Sequence, residues 1–288
     1  MTTPYKLIAI DLDGTLLSPT GQVTPRTKAA IHRCLDAGIL VCFATGRNWT
    51  ESRTVLDAVA HYGSAVFAGG ALIVDTEREV VLHRMKMDPP LAAEVCGLFE
   101  QRGQCTLALQ DVAAAGFDYY VSKSVPMNAA TSDWVNHVRP QVRLTDALPD
   151  AATHGHTIRV SICAAPGDVA RLKREVVDRF GWRALALSMT VPTYGVDILE
   201  VFDPAINKWE GVRLVAERHG VTPDQIVAIG DDVNDVPMLR GAGLGVAMGN
   251  ATPPAVDAAD RVIGRNTDDG LARFLEELLD GHLVTPAP

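Results

Sequence analysis

Short apolar runs alternate with amphipathic segments along the first part of the chain. The runs KLIAI, ILVCFA and AVFA have the uninterrupted hydrophobicity of strands that are buried on both faces. Between them, apolar residues recur at helical spacing in two segments, one from Thr24-Pro25 to Gly38 and one over residues 49–60. Buried strands that alternate with helices predict a parallel sheet with helical crossovers.

The pattern changes near residue 72. The segment ALIVDTEREVVLHR predicts a hairpin of two strands around a charged turn, and LAAEVCGLF then predicts a helix. We expect further short strands at 105–109, 117–121 and 157–163, and a helix near 168–180. These elements indicate an α+β domain with its own sheet, inserted over residues 83–187.

From residue 188 the first pattern returns. VDILEVF, IVAIG, LGVAM and RVI predict strands, helices are expected over 208–219 and 268–280, and residues 284–288 are expected to form a frayed end. The predicted fold class is therefore α/β, a Rossmann-like three-layer core with a mostly parallel sheet and an inserted α+β domain. The core is predicted to comprise residues 1–82 and 188–288.

Composition narrows the classes of partner. The 288 residues are 47% hydrophobic, which is enough for one large or two smaller cores, and the formal net charge is −9. An acidic balance argues against binding to nucleic acids or to anionic membranes. The odd number of cysteines, the lack of an apolar core in MTTPYK and the lack of a spanning apolar run favour a soluble protein of a reducing compartment, and we expect it to be cytoplasmic.

The stretch IAIDLDGTLLS poses an electrostatic problem. Asp11 follows an apolar run directly and Asp13 lies two positions on. Asp-Gly is a common turn pair, so an acidic turn is one interpretation. However, a buried carboxylate without a partner is costly, so Asp11 requires a cation or strong hydrogen-bond donors.

A second acidic cluster follows another buried strand, in VAIGDDVNDVPML. Asp231 and Asp235 are four positions apart and share a face if a helix begins there. An acidic helix N-terminus is favourable by itself, and that alternative explains Asp232 well. Because ligands of open α/β sheets bind beyond the carboxyl ends of strands, the two clusters are expected to meet there. Converging carboxylates favour Mg²⁺ over Zn²⁺.

Two further features are suited to an anion beside such a metal. Thr45-Gly46-Arg47 ends the second strand, where a hydroxyl and backbone N–H groups can hold phosphate oxygens. Lys208 begins a predicted helix. Neither feature is specific alone, since Thr-Gly is an ordinary loop pair and a single lysine is usually solvated. Their order along the chain, between the two acidic clusters, is what indicates a site.

This ordered set resembles the four motifs of the haloacid dehalogenase-like superfamily. DLDGT matches the first motif, Thr45 the second, Lys208 the third and GDDVND the fourth. The long gap between Thr45 and Lys208 is similar to that of the Cof-type branch, in which a large cap domain lies between the second and third motifs. The chain departs from the pattern at Gly69-Gly70, where relatives usually carry Asn-Gly, so an asparagine contact near the site is expected to be missing or supplied elsewhere.

The resemblance implies a role for each matched residue. Asp11 would be the nucleophile, and Asp13 the general acid and base that also lends its backbone carbonyl to the metal. Asp231 would be a further metal ligand, and Asp235 would orient the ligands. The remaining matched positions would contact the phosphoryl group, namely Thr45, Gly46, Lys208 and Asn234.

The implied function is a Mg²⁺-dependent phosphatase that hydrolyses a small phosphorylated metabolite through an aspartyl-phosphate. Sugar phosphates are the first expectation, and nucleotide-like or cofactor phosphates the second. A phosphosugar mutase and a non-catalytic regulator that binds a phosphorylated metabolite remain alternatives, although the complete set of acids and Lys208 argues against the regulator. We expect no nucleic-acid or membrane partner, and a monomer or weak homodimer.

Overall fold

In the computed structural model, the structure describes residues 3–191 and 196–281. It divides the chain into two compact units, the first comprising residues 1–83 and 207–288 and the second residues 84–206.

The elements are as follows, in chain order. The strands are β1 (Leu7–Ile10), β2 (Leu40–Phe43), β3 (Ser64–Phe67), β4 (Leu72–Asp75), β5 (Val80–Arg84), β6 (Leu107–Gln110), β7 (Tyr119–Ser122), β8 (Val142–Thr145), β9 (Thr157–Ala164), β10 (Leu185–Val191), β11 (Val196–Phe202), β12 (Ile226–Gly230), β13 (Leu244–Ala247) and β14 (Arg261–Val262). The helices are α1 (Pro25–Asp36), α2 (Trp49–Val59), α3 (Pro89–Gln101), α4 (Val112–Ala115), α5 (Ala129–Val138), α6 (Pro166–Phe180), α7 (Lys208–Arg218), α8 (Val236–Gly241), α9 (Pro253–Ala258) and α10 (Gly270–Leu279).

The first unit is built on a parallel sheet of five strands in the order β14-β13-β12-β1-β2. On one face, Leu7 and Ala9 of β1 pack with Val212 of α7 and Met238 of α8. The alternate residue of β1, Ile8, is also fully buried, so both faces of the sheet are covered. This confirms the predicted α/β core with its mostly parallel sheet.

Within the described residues, strand β3 meets this sheet through one parallel bridge, between Ala44 and Val66. It pairs along its whole length with β4 in the antiparallel direction, in a small sheet of order β3-β4-β5. The third predicted strand therefore belongs mainly to the hairpin region rather than to the parallel sheet.

The second unit contains a six-stranded, mostly antiparallel sheet of order β10-β11-β9-β6-β7-β8. Helices α3 and α6 pack their apolar sides on one face of it, where Leu98, Leu172, Val160 and Leu199 are fully buried. The unit is an α+β arrangement with its own core, as the sequence predicts.

The second domain boundary differs from the expected one. Strands β10 and β11 pair with each other over seven residues, and β11 pairs with β9, so both strands belong to the α+β sheet, and the second compact unit extends to residue 206. A strand run such as VDILEVF carries no signal for which sheet it joins, because the choice of partner strand depends on tertiary context and not on the composition of the run. The frayed end predicted at 284–288 lies outside the described residues.

Across the described parts of the chain, no helix has the length and hydrophobicity that a membrane-spanning segment requires.

Candidate active site

The site lies at the carboxyl ends of the central strands of the first unit. Strands β12, β1 and β2 are parallel neighbours, so the residues that follow them emerge at one edge of the sheet. The amide of Asp11 continues the ladder by donating to the Ile229 carbonyl at 3.0 Å. Asp231 directly follows the last residue of β12, and Thr45 lies two residues after the end of β2. Three of the four sequence motifs thus meet because of strand order alone.

Lys208 brings the remaining motif to this edge. Its Nζ donates to Asp11 Oδ1 at 2.5 Å and to Asp235 Oδ1 at 2.6 Å, and all three side chains are buried. Lys208 is the first residue of α7, and the side chain of Asn207 caps this helix by accepting from the Glu210 amide at 3.0 Å. The cap fixes where the helix begins and hence where the ammonium lies.

The Gly69-Gly70 pair, whose first residue is where the chain departs from its relatives, lies against this helix start. Gly69 and Gly70 both have positive φ, of 67° and 116°. A Cβ on Gly70 would lie 2.2 Å from the backbone oxygen of Asn207. Gly70 therefore permits a close backbone approach to the residue that precedes Lys208, which no larger residue allows.

Asp231 and Asp235 form the second half of the acidic group. Thr15 Oγ1 donates to Asp231 Oδ1 at 2.9 Å. Asp235 Oδ2 accepts from the backbone amides of Asp231 and Asp232, at 2.9 and 3.0 Å. With its other oxygen held by Lys208, Asp235 has both carboxylate oxygens fixed by protein donors.

The acids are packed more densely than their one ammonium can neutralise. Burial raises the pKa of Asp11 well above its ordinary value against the opposing effect of Lys208, and Asp235 and Asp231 raise it further. Burial, with a contribution from Asp235, raises the pKa of Asp231 to about 7, although the Thr15 hydrogen bond opposes it. Burial lowers the pKa of Lys208, but Asp11 and Asp235 outweigh it and raise that pKa above its usual value.

Among the described residues, Asp11, Asp231 and Asp235 form a group whose carboxylate oxygens lie within 4.8 Å of one another. When they are ionised, these three carboxylates beside one ammonium leave an excess of negative charge in a largely buried group. Hard oxygen donors with excess negative charge are the environment that a divalent cation such as Mg²⁺ requires. The donor set therefore fits such an ion.

Asp13 does not join this group through its side chain. Its carboxylate accepts from Arg47 Nε at 2.7 Å and from Arg47 Nη2 at 2.5 Å, and it is largely exposed to solvent. The structure thus separates the two acids of DLDGT, with Asp11 turned to the buried cluster and Asp13 held by Arg47.

Thr45 and Gly46 lie in the turn between β2 and α2. The buried Thr45 Oγ1 accepts from the Arg47 amide at 3.1 Å, and its carbonyl accepts from the Gly69 amide at 2.9 Å. Asn234 lies in the short turn that carries Asp235, and its Oδ1 is a buried acceptor for which the described residues offer no donor. A buried acceptor without a donor is costly unless a ligand supplies one.

Two asparagines that the sequence motifs did not indicate, Asn250 and Asn266, hydrogen-bond to backbone groups near the site. Asn250 Nδ2 donates to the Gly14 carbonyl at 2.9 Å, and Asn250 Oδ1 accepts from the Asn266 amide at 3.0 Å. Asn266 in turn donates from Nδ2 to the Leu17 carbonyl at 2.8 Å. Asn250 follows β13, the neighbour of β12, so the strand-end rule that found the acids also points to this position.

Comparison with known proteins identifies the family. The model of a family described as haloacid dehalogenase-like hydrolase matches residues 8–275. The chain belongs to the haloacid dehalogenase-like hydrolase family. This confirms the resemblance seen in the sequence, including its Cof-type branch.

Two curated relatives span almost the whole chain. The HMP-PP phosphatase of Enterobacter sp. (strain 638) is 30% identical over 280 residues, which are 96% of this chain and 96% of that protein. The 5-amino-6-(5-phospho-D-ribitylamino)uracil phosphatase YitU of Bacillus subtilis (strain 168) is 28% identical over 281 residues, 96% of this chain and 98% of its own length. The family member described here is accordingly an enzyme of the phosphatase type.

Solved structures share the fold at lower identity. A haloacid dehalogenase-like hydrolase from Bacteroides thetaiotaomicron superposes with a TM-score of 0.78 at 22% identity, covering 95% of this chain and 99% of its own. The HAD subclass IIB sugar phosphatase BT4131 superposes with a TM-score of 0.79 at 19% identity, covering 94% and 98%. At these identities the likeness shows the fold.

Proposed function

We propose that this family member is a Mg²⁺-dependent phosphatase that hydrolyses a small phosphorylated metabolite through a phosphorylated Asp11. The observation that carries the proposal is the buried cluster at the ends of β1 and β12, where Lys208 bridges Asp11 and Asp235 and where Asp231 adds a further carboxylate. A solvated acidic surface would need neither the burial nor the lysine.

Asp11, Asp231 and the backbone carbonyl of Asp13 are the groups that we assign to Mg²⁺, with Asp235 holding them in place. When bound, the ion would offset the negative charge of the carboxylates and of the phosphoryl group. The donor set supports this assignment because carboxylate oxygens with excess negative charge suit a hard divalent cation.

The proposed reaction has two steps on the same residues. Asp11 attacks phosphorus and forms an aspartyl-phosphate, while the carboxylic acid of Asp13 gives its proton to the departing oxygen. Asp13 then takes a proton from the water that cleaves the Asp11–phosphoryl bond. Throughout, the Lys208 ammonium is a fixed positive charge beside Asp11 that offsets charge on the transferring group.

The remaining predicted positions would bind the phosphoryl oxygens. Thr45 offers a hydroxyl on a turn that is fixed by its own backbone hydrogen bonds, and Gly46 offers a backbone amide. Asn234 has a buried side-chain oxygen to satisfy, which a protonated phosphate or a bound water would do. The position of these residues after β2 and β12, at the same edge of the parallel sheet, supports these assignments.

For the substrate we propose a sugar phosphate. The support comes from the names of related proteins. The two curated relatives are named as phosphatases of HMP-PP and of a phosphoribitylamino-uracil, and the structural neighbour is named as a sugar phosphatase. The molecules in these names are all small phosphorylated metabolites. The inserted α+β unit, residues 84–206, is the part to which we assign recognition of the leaving group.

The test is phosphate release by the purified full chain from p-nitrophenyl phosphate and from a panel of phosphorylated sugars and cofactors, with Mg²⁺ or with excess EDTA. We expect release only with Mg²⁺, and a loss of about 10³-fold or more in Asp11→Asn, because the nucleophile is removed. The substitution is isosteric and takes charge out of an over-acidic cluster, so we expect the thermal stability to be kept.

Asp36→Asn is the matched control, since Asp36 is an exposed acid at the end of α1 in the same unit. It should turn over like the wild type. Unchanged turnover in Asp11→Asn, or full activity in EDTA, would refute the proposal. Isomerised sugar phosphate without net phosphate release would instead indicate the mutase.

A further inference from the structure

We propose that Arg47 is a positioning residue that orients the carboxyl group of Asp13 for proton transfer to the leaving group. This inference rests on the proposed phosphatase function and concerns the same site. It assigns to Arg47 a contribution that depends on which leaving group is expelled.

The contact between the two side chains has a specific geometry. Arg47 presents two parallel donors, Nε to Asp13 Oδ2 at 2.7 Å and Nη2 to Asp13 Oδ1 at 2.5 Å. A two-point pair of this kind fixes the plane of the carboxylate as well as its distance. A lysine could supply the charge but could not fix the plane.

Arg47 is itself held at both backbone groups. Its amide donates to Thr45 Oγ1 at 3.1 Å, and its carbonyl accepts from the Ala68 amide at 2.8 Å. The next residue, Asn48, is the N-cap of α2 in a reciprocal capping box with Glu51. The Arg47 side chain therefore extends from a turn that is fixed by hydrogen bonds. The same turn carries the hydroxyl of Thr45, to which we assign contact with the phosphoryl group.

The pair is too exposed to serve mainly as a stabilising contact. The side chains of Arg47 and Asp13 retain 32% and 59% of their exposure, and salt bridges exposed to this degree contribute little to folding. The two-point geometry nevertheless holds Asp13 apart from the Asp11–Lys208–Asp235 cluster. We therefore assign to the Arg47–Asp13 contact the orientation of the Asp13 carboxyl group.

The consequence for the chemistry concerns the first step. As the bond between phosphorus and the leaving oxygen breaks, the protonated Asp13 must present one oxygen to that leaving oxygen and transfer its proton, returning to the carboxylate that Arg47 holds. An alkoxide leaving group needs this proton, whereas p-nitrophenolate departs without it. Loss of Asp13 orientation should therefore slow the two substrates unequally.

The test compares Arg47→Met and Arg47→Lys with the wild type on p-nitrophenyl phosphate and on the sugar phosphate that the wild type hydrolyses fastest. The measured quantity is kcat/KM, which reports the first step. We expect both variants to lose at least about 10-fold more kcat/KM on the sugar phosphate than on the aryl ester. A loss of this size is smaller than the full contribution that general acid catalysis usually makes to the rate.

Arg26→Met is the matched control, because Arg26 makes the same two-point contact with Glu276 elsewhere in the first unit, at 3.1 and 2.7 Å. It should leave both kcat/KM values unchanged. Equal losses of kcat/KM on the two substrates in Arg47→Met would show that Arg47 only binds phosphate, and full activity in Arg47→Lys would show that charge alone matters. Either result would overturn the inference while leaving the proposed function in place, whereas a wild type that hydrolyses neither ester would refute both.

Discussion

At the scale of single residues, the site depends on a position where no side chain fits. Gly70 has a φ of 116°, and a Cβ there would meet the backbone of Asn207 at 2.2 Å. Asn207 immediately precedes Lys208, whose ammonium bridges Asp11 and Asp235. A change at Gly70 therefore displaces the charge that the buried acids require.

We expect Gly70→Ala to lose about 1–3 kcal/mol of stability from backbone strain. We also expect kcat to fall about 100-fold, as for a displacement of about 1 Å at a reacting group. Gly21→Ala separates the two effects, because Gly21 also has a positive φ, 73°, but has open space around it. It should lose about 1 kcal/mol and keep its kcat. Thermal unfolding and steady-state kinetics measure both, and equal kcat values in the two variants would contradict the prediction.

The sequence predicted individual acids better than the contacts they make. That Asp11, Asp231 and Lys208 lie close together could be predicted because each is at the end or start of an element with a clear hydrophobic pattern. The pairing of Asp13 with Arg47 could not, because it depends on where the turn after β2 places a long side chain. The strand-end position of Asn250 could have been found in the same way as the acids, but its contact with the Gly14 carbonyl could not, since that group lies in a distant part of the chain.

At the scale of elements, the start of α7 is what places Lys208. Asn207 accepts from the Glu210 amide, and Lys208 is the first helical residue. Without that cap, the first turn of the helix frays, and the residue that suffers most is the one at its beginning.

We expect Asn207→Ala to lose about 1 kcal/mol of stability and about 10-fold in kcat through the looser lysine. Asn207→Ser should restore both, because serine is an equally good cap. Asn128→Ala is the matched control, since Asn128 caps α5 in the second unit in the same way. It should lose stability and keep kcat, and a similar loss of kcat in Asn128→Ala would contradict the assigned role of Asn207.

Elements with strong periodicity were predicted well, and the weaker ones were not. Helix α1 begins at Pro25 behind its Thr24 cap, as the sequence indicates. Helix α5 was missed because its sequence, AATSDWVNHV, has few apolar residues, and only Ala130 and Thr131 are buried. Strand β10 was missed, and β11 was placed in the wrong domain, since pairing between them is a non-local property.

At the scale of the whole molecule, the two units have separate hydrophobic cores. Residues of β1, β12, α7 and α8 form one, and residues of α3, α6, β9 and β11 form the other. The stability of each unit can therefore depend on pH through the titratable groups buried in that unit. In the second unit one such group is a fully buried histidine, His154.

The hydrogen bonds of His154 favour its neutral form. Nε2 lies 2.7 Å from the Leu148 carbonyl and must carry a proton, while Nδ1 lies 2.9 Å from Thr157 Oγ1. Thr157 Oγ1 also accepts from Gln110 Nε2 at 2.9 Å, so its own proton is directed to Nδ1. Burial lowers the pKa of His154, although the Leu148 carbonyl and Asp150 oppose the shift.

This lowered pKa predicts how acid destabilises the protein. At a pH below the usual histidine pKa of about 6.5, His154 binds a proton in the unfolded chain but stays neutral in the folded chain. The contribution of His154 to stability is therefore complete above that pH and is lost as the pH falls. His154→Gln can keep a hydrogen bond to Leu148 but cannot titrate. We therefore expect the free energy of unfolding of the wild type to exceed that of His154→Gln at pH 7.5, and the difference to narrow at pH 5.5. Denaturant titrations at the two pH values measure it, and a difference that stays constant would show that the pKa of His154 is the same in the folded and the unfolded chain.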